Sequence, residues 1–379
     1  MDSIDLSLRS ANACIEPASQ TYANSTIGPD RIVTTQLGIK PHQADLDLDR
    51  KSVEAYREQL KSAMVPIAEE LVLVEQMLRR ELHNAQPSIA EMLTYVSELG
   101  GKRLRPCLVL LAAKAAGRAT DESIRLSVVV ELVHTATLVH DDILDEALLR
   151  RHRETVHQRW NIPASVLIGD WLFTHAYGLA NRGTSTIPGR WIADAAKQVC
   201  EGEILQGNSI RHFELEIRDY LKLLEAKTGA LCAVSCSLGA WSAGADESIC
   251  FRMQQYGLKM GTAFQVYDDW LDVWGQQDNA GKTLGTDLAS FKPTLPAIRT
   301  LGLMPADRRA GMILRLNQGD LAAVRELRLA MDQCDASDFT CNFAKSLISE
   351  AINFLTGIPT NAASVALRNL ALAAVNRQG

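Results

Sequence analysis

The sequence has no C-x-x-C pair, no apolar run of the roughly 18 residues a membrane span needs, and no excess of positive charge. The first absence removes the common zinc and dithiol spacings. The second removes a helical membrane anchor. The third removes an extended nucleic-acid surface: Lys and Arg total 39 against 45 Asp and Glu, a net charge of −6. Any basic site must therefore be local. Repeats of fixed period and low-complexity tracts are also missing. The opening "MDSIDLSLRS" lacks a basic stretch followed by an apolar one, so it is not read as a signal peptide. A reducing, cytoplasmic location is expected. The sequon at Asn24-Ser25-Thr26 then carries no weight, and Cys232 and Cys236, one helical turn apart, read as small core residues.

What is present is helical periodicity. Residues 1–50 are polar and aperiodic, with Pro17, Gly28, Pro29, Gly38 and Pro41 scattered through them, and read as a mobile extension. Across 51–379 apolar residues recur every three to four positions, which predicts a single all-α domain of ten or more helices. "SIRLSVVVELVHTATLVHDDILDEALL" reads as a central buried helix. Further helices are expected around 163–182, 190–206, 216–243, 246–274, 307–317, 319–333, 337–356 and 360–376. Val128, Val129 and Val130 would suit a strand, but no alternating runs with hairpin turns accompany them.

That central helix ends in acid. "HDDILDEALLRR" holds Asp141, Asp142 and Asp145, then Arg150 and Arg151. His134, Asp141 and Asp145 are spaced seven and four apart, so they share one helical stripe. Carboxylates at the end of an apolar helix are costly unless paired or bound to a cation. Two of them one turn apart offer hard oxygens to one point, which suits Mg²⁺. A solvated charged face is the bland alternative, and a second copy of the pattern counts against it. "GTAFQVYDDWLDVWG" repeats D-D-x-x-D at Asp268, Asp269 and Asp272, with Gln265 on the same face. Two such clusters predict facing helices around a shared cavity.

Cations are dispersed around these clusters. "LGGKRLRPCLVL" supplies Lys102, Arg103 and Arg105 after two glycines. "EAKTGAL" sets Lys227 beside Thr228, and "GKTLGTDLASFKPTLP" adds Lys282 and Lys292. Acid clusters plus separate cations in an apolar helical domain describe a site for diphosphates, some held through Mg²⁺ and some directly by Lys and Arg.

At these residues the sequence resembles the trans-type polyprenyl diphosphate synthases. "GGKRLRP", "LVHTATLVHDDILDEALLRRHRETVH", "LIGDWLFTHA", "EGEILQG", "AKTGAL", "AFQVYDDWLDVWG" and "GKTLGTDLASFKPTLP" are similar to that family's motifs and stand in its order. The resemblance is close over about 90–300 and absent over 1–50. It implies an isoprenoid synthase fold around a deep central cavity, usually in a homodimer. It implies about three Mg²⁺ ions held by the two acid clusters, with Asp141, Asp145 and Asp268 as ligands. Lys102, Arg105, His134 and Arg151 match positions that bind isopentenyl diphosphate. Arg150, Lys227, Thr228, Gln265, Lys282 and Lys292 match positions on the side of the allylic diphosphate.

The implied reaction ionises an allylic C–O bond. The cation is attacked by the double bond of isopentenyl diphosphate, and a proton is lost, with the departing diphosphate as its acceptor. It needs charge stabilisation and no protein nucleophile. In the family, small residues four and five before the first aspartate go with long products. Here these are Thr137 and Ala136, so a product of roughly C30–C50 is expected over C15–C20. A di-iron helical bundle is the rival from another class, since Glu131/His134 and Glu154/His157 both fit Glu-x-x-His.

Overall fold

A computed structural model describes residues 61–83, 86–99, 101, 103–275 and 285–376. The chain divides into a unit of residues 1–47 and a unit of residues 48–379, and the described helices all belong to the second. The extension expected over 1–50 lies outside the described residues.

After a short 3₁₀ turn, Val65–Ile67, come α1 (Ala68–Glu81), α2 (Pro87–Glu98), α3 (Leu104–Ala116) and α4 (Asp121–Leu144). A two-stranded hairpin, β1 (Leu149–Arg150) and β2 (Arg153–Glu154), interrupts the helices. Then follow α5 (Val156–Arg159), α6 (Ile162–Ala180), α7 (Ile187–Ser209), α8 (Ile217–Leu224), a π turn (Glu225–Gly229) and α9 (Ala230–Ser242). The long α10 (Glu247–Trp274) leads to α11 (Thr286–Ala289), α12 (Leu295–Leu303), α13 (Ala306–Asn317), α14 (Leu321–Asp332), α15 (Ala336–Phe354) and α16 (Ala362–Ala374). Among the described residues no helix is long and apolar enough to cross a membrane.

Two helices are buried all round over eleven residues each, and they form the centre. In α4 every residue from Ser123 to Val133 is buried, and in α9 every residue from Ala230 to Ala240. Val128–Val130 lie inside α4, so length and neighbours override their β preference. The hydroxyl of Thr120 accepts from the Ser123 amide, and the Ser123 hydroxyl accepts from the Thr120 amide, which fixes the start of α4. Helix α9 packs against α10, α3, α4 and α7, α6 lies along α4, and α15 lies along α10. A Cβ on Gly257 would sit 2.4 Å from the Cys232 carbonyl oxygen, so glycine there lets α9 and α10 touch backbone to backbone. Cys232 and Cys236 are free and buried at that contact, the packing role expected of them.

Three elements are not legible in the sequence: α11, which lies inside a motif read as loop, α12 just after it, and the hairpin. The sequence reading also carries the acidic helix through Leu149. The helix stops at Leu144 instead: the Ala147 amide donates to the Asp142 carbonyl and the Glu146 amide to that of Ile143, with Glu146 at φ 50. That is a Schellman ending with glutamate where glycine is usual.

Candidate active site

The ends of α4 and α10 bring the acid clusters to one cavity of about 750 Å³, whose lining includes Asp141, Asp142 and Asp268. Its polar end also has Arg105, His134, Arg150, Arg151, Lys227, Thr228 and Gln265. Its remaining wall is largely apolar, from Leu78, Leu99 and Leu138 to Met260, Phe264 and Leu370. Lys292 Nζ lies 3.6 Å from Asp145 Oδ1 and 3.8 Å from Asp287 Oδ1, which links the first acid cluster to the segment beyond the second. Burial lowers the Lys292 ammonium, and these two carboxylates outweigh it, so its pKa is raised.

The aspartates differ in surroundings. Burial and the neighbouring Glu203 push the Asp141 carboxyl up to about 7. Asp142, 2% exposed, is paired: Arg150 Nε lies 2.9 Å from both its oxygens. Asp269 is buried, accepting from Tyr220 Oη at 2.7 Å and Gln265 Nε2 at 3.0 Å, and burial with the nearby Asp287 raises its carboxyl. Asp272 accepts from the Thr286 amide and hydroxyl and from the Asp287 amide, so it anchors the start of α11. Of the second cluster, Asp268 is the member that lines the main cavity, and both Asp268 and Asp269 border the small adjoining one.

The two arginines lie beyond the helix, on the hairpin. Arg150 is on β1 and Arg151 opens the hairpin turn, where Arg151 and His152 both have positive φ (54 and 64). That is the backbone of a two-residue type I′ turn. Adjacent residues thereby reach different partners: Arg150 binds Asp142, while Arg151 Nη1 donates to the Leu99 carbonyl at 2.9 Å. Tyr95 of α2 holds the hairpin, its hydroxyl donating to the Glu154 carbonyl at 2.7 Å with Arg153 and Arg159 over its ring.

His134 sits among Arg105, Arg150, Arg151 and Arg103. Burial, then those charges, hold its pKa well below the usual value, so it is neutral. Arg105 Nε is buried with no partner among the described residues. Lys102 and Lys282 lie outside the described residues.

Lys227 and Thr228 lie in the π turn, where the sequence reading had unbroken helix. Such turns gather at functional sites because they re-aim side chains. Gly202 of α7 makes room for it: a Cβ there would be 2.6 Å from the Lys227 amide nitrogen. Lys227 Nζ contacts Glu203 at 2.7 Å and Gln206 at 2.6 Å, and Thr228 Oγ1 donates to Gln265 Oε1 at 3.2 Å.

Sequence reasoning missed Glu203, Gln206, Tyr220 and Asp287. Glu203 and Gln206 were visible three apart in "EGEILQG", one helical face. Tyr220 had no local signal, since its partner is 49 residues away. Three expected residues are off the walls of both cavities: Asp145, Asp272 and Ala136; Ala136 is 0% exposed in the helix core, whereas Thr137 lines the main cavity. The di-iron alternative loses its first pair, because Glu131 is bound to Arg103 at 2.7 Å.

Among the described residues no three acidic, imidazole or thiol groups form a metal site by themselves. The donor chemistry nevertheless fits a hard divalent cation. Asp141 is a carboxyl that burial and a like charge hold protonated near neutrality, which a cation would reverse.

Residues 86–331 match the sequence profile of the family described as Polyprenyl synthetase. The chain is 33% identical over 315 residues to heptaprenyl diphosphate synthase component 2 of Geobacillus stearothermophilus, covering 83% of this chain and 97% of that one. Among solved structures, a decaprenyl diphosphate synthase from Rhodobacter capsulatus aligns with TM-score 0.79 at 30% identity, covering 84% of this chain and 99% of that one. A polyprenyl synthase from Caulobacter crescentus CB15, complexed with calcium and isoprenyl diphosphate, aligns with TM-score 0.78 at 32% identity, covering 84% and 98%.

Proposed function

The chain belongs to the polyprenyl synthetase family and is a prenyltransferase, and from that premise we propose that it condenses isopentenyl diphosphate with an allylic diphosphate into a long trans polyprenyl diphosphate. The observation that carries the reading is one cavity lined by carboxylates from two helices, by several cations and by apolar side chains. The relatives named heptaprenyl and decaprenyl diphosphate synthases support a long product, roughly C30–C50. The lining by Thr137 supports it too, since no aromatic side chain stands at that position.

Asp141, Asp145 and Asp268 would hold Mg²⁺, as the calcium-bound relative supports for a divalent ion. When bound, the metal supplies positive charge against the leaving diphosphate. The protein's own residues divide the rest. Lys227, fixed by Glu203 and Gln206, presents an ammonium to the allylic diphosphate. Thr228 and Gln265 tie that region to Asp269 and Tyr220. Lys292 and Arg150 add charge on the same side. Arg105, Arg151 and neutral His134 take the second diphosphate apart from the two aspartate clusters that would hold the metal, so that substrate is not ionised. The allylic C–O bond breaks, a C–C bond forms, and the proton leaves with the released diphosphate. The apolar wall excludes water from the cation.

A homodimer completes the reading. Ile162, Val166 and Leu167 are exposed on α6, and His140, one turn before exposed Leu144 of α4, bonds to the Val166 carbonyl at 3.1 Å. Sedimentation at micromolar concentration tests it. The function itself is tested with labelled isopentenyl diphosphate, an allylic primer and Mg²⁺, followed by chromatography of the dephosphorylated products. A ladder ending between C30 and C50 is expected. An end at C15 or C20 with excess isopentenyl diphosphate contradicts the long product, and no incorporation contradicts the activity.

A further inference from the structure

The cation pocket around Arg105 contains a buried carboxylate, which is unexpected where an anion is to bind. Glu131 is 3% exposed, stands one turn before His134 on α4, and lines the cavity. Its Oε1 accepts from Arg103 Nη1 at 2.7 Å. Glu75 of α1 takes the other edge of the same guanidinium, with Arg103 Nε to Oε1 at 2.6 Å and Nη2 to Oε2 at 3.3 Å. One side chain therefore ties together α1, the start of α3 and α4.

The backbone at Arg103 is the second observation. Arg103 is the N-terminal cap of α3 with φ 50, a left-handed conformation that L residues other than glycine rarely adopt. It persists only where surroundings over-determine it. The two carboxylates provide that constraint. Arg105 follows two residues later, and its buried Nε has no partner among the described residues. Arg105 therefore leaves the chain two residues after this left-handed position and lines the cavity.

We propose that Glu131, with Arg103 and Glu75, is a positioning brace for the isopentenyl diphosphate pocket. Arg103 does not serve as a further contact to the substrate, because both edges of its fork are already engaged. This deepens the functional reading above and rests on it. The brace makes a prediction opposite in sign to simple electrostatics. Neutralising Glu131 makes the pocket more positive, which by charge alone tightens an anion. Loss of the brace loosens it.

The test is calorimetric binding of isopentenyl diphosphate without an allylic substrate, so that no turnover occurs. Glu131→Gln is expected to weaken binding about tenfold and Arg103→Lys by a similar factor. Affinity for a non-reactive allylic thiodiphosphate should change by less than about twofold. Circular dichroism checks the fold, and if Glu131→Gln does not fold, Arg103→Lys decides, since it keeps the charge and loses only the fork. Unchanged or tighter isopentenyl diphosphate binding in the folded variant overturns the brace. Arg105→Ala separates the two levels: wild-type affinity in that variant means the pocket is not the isopentenyl site, a failure of the functional reading.

Discussion

Asp141 meets two conflicting demands in one carboxyl. It is buried beside Glu203, which favours the neutral form, and its proposed role as a metal ligand calls for the charged one. The folded value, about 7, lies above the ordinary carboxylate range. Charging it therefore destabilises the folded chain progressively as pH rises from about 4 to about 7, and not below that window. Asp141→Asn should stabilise the metal-free protein at pH 8 by about 1–3 kcal/mol and leave it unchanged near pH 4. Melting curves at the two pH values check this, and equal stability at pH 8 would mean that Asp141 is not strained. His134 has the opposite sign. Its folded value is depressed, so stability is lost as pH falls below about 6.5, where the unfolded chain takes up the proton. His134→Gln should flatten that slope in the melting temperature.

Arg150 separates structure from binding in a single side chain. Its loss leaves Asp142 buried and unpaired, which costs about 3–5 kcal/mol. Arg150→Ala is therefore expected both to lower the melting temperature and to raise the allylic KM about tenfold or more. Adding Asp142→Asn should restore stability and leave the KM high. Arg105→Ala should raise the KM for isopentenyl diphosphate instead. Equal effects of both arginines on both substrates contradict the division of cations.

At the scale of elements, periodicity made most helices legible, because a stripe recurring every three to four residues survives any tertiary context. The D-D-x-x-D pairs were legible because spacing on a helix fixes a shared face. What hid was non-periodic or non-local. The Schellman ending uses Glu146 where a glycine would have flagged it. The hairpin turn uses Arg151 and His152 where Asn-Gly is the usual sign. The π turn has no signature in apolar spacing, and the close approach of Gly202 comes from a different helix. That approach can be tested. Gly202→Ala places a methyl against the Lys227 backbone and should push the turn off the site. The expected result is a folded protein with turnover lowered about 10²-fold, since a displacement near 1 Å at a positioned charge has that effect. Wild-type turnover would show that α7 does not set the position of Lys227.

For the molecule as a whole, the proposed function gives the charged lining of one cavity the diphosphates and its apolar lining the growing chain. On the α4 wall Thr137 lines the cavity and Ala136 is buried in the core, so Thr137 is the position we propose for the control of product length. Thr137→Phe should shorten the product while turnover persists. Ala136→Phe should overpack the core and cost about 1–3 kcal/mol of stability. The reverse pattern, shortening by Ala136→Phe alone, would place the tunnel on the other face of α4. The central claim is that carboxylates from two helices act together through a divalent cation on a leaving diphosphate. The most direct measurement is the rate of label incorporation from isopentenyl diphosphate, titrated with Mg²⁺, for the wild-type chain and for Asp141→Asn and Asp268→Asn. The account predicts no incorporation in EDTA and a loss of about 10³-fold or more in each variant at saturating Mg²⁺, equivalent to about 4 kcal/mol of transition-state stabilisation. Near-normal incorporation in EDTA, or in either variant, would contradict it.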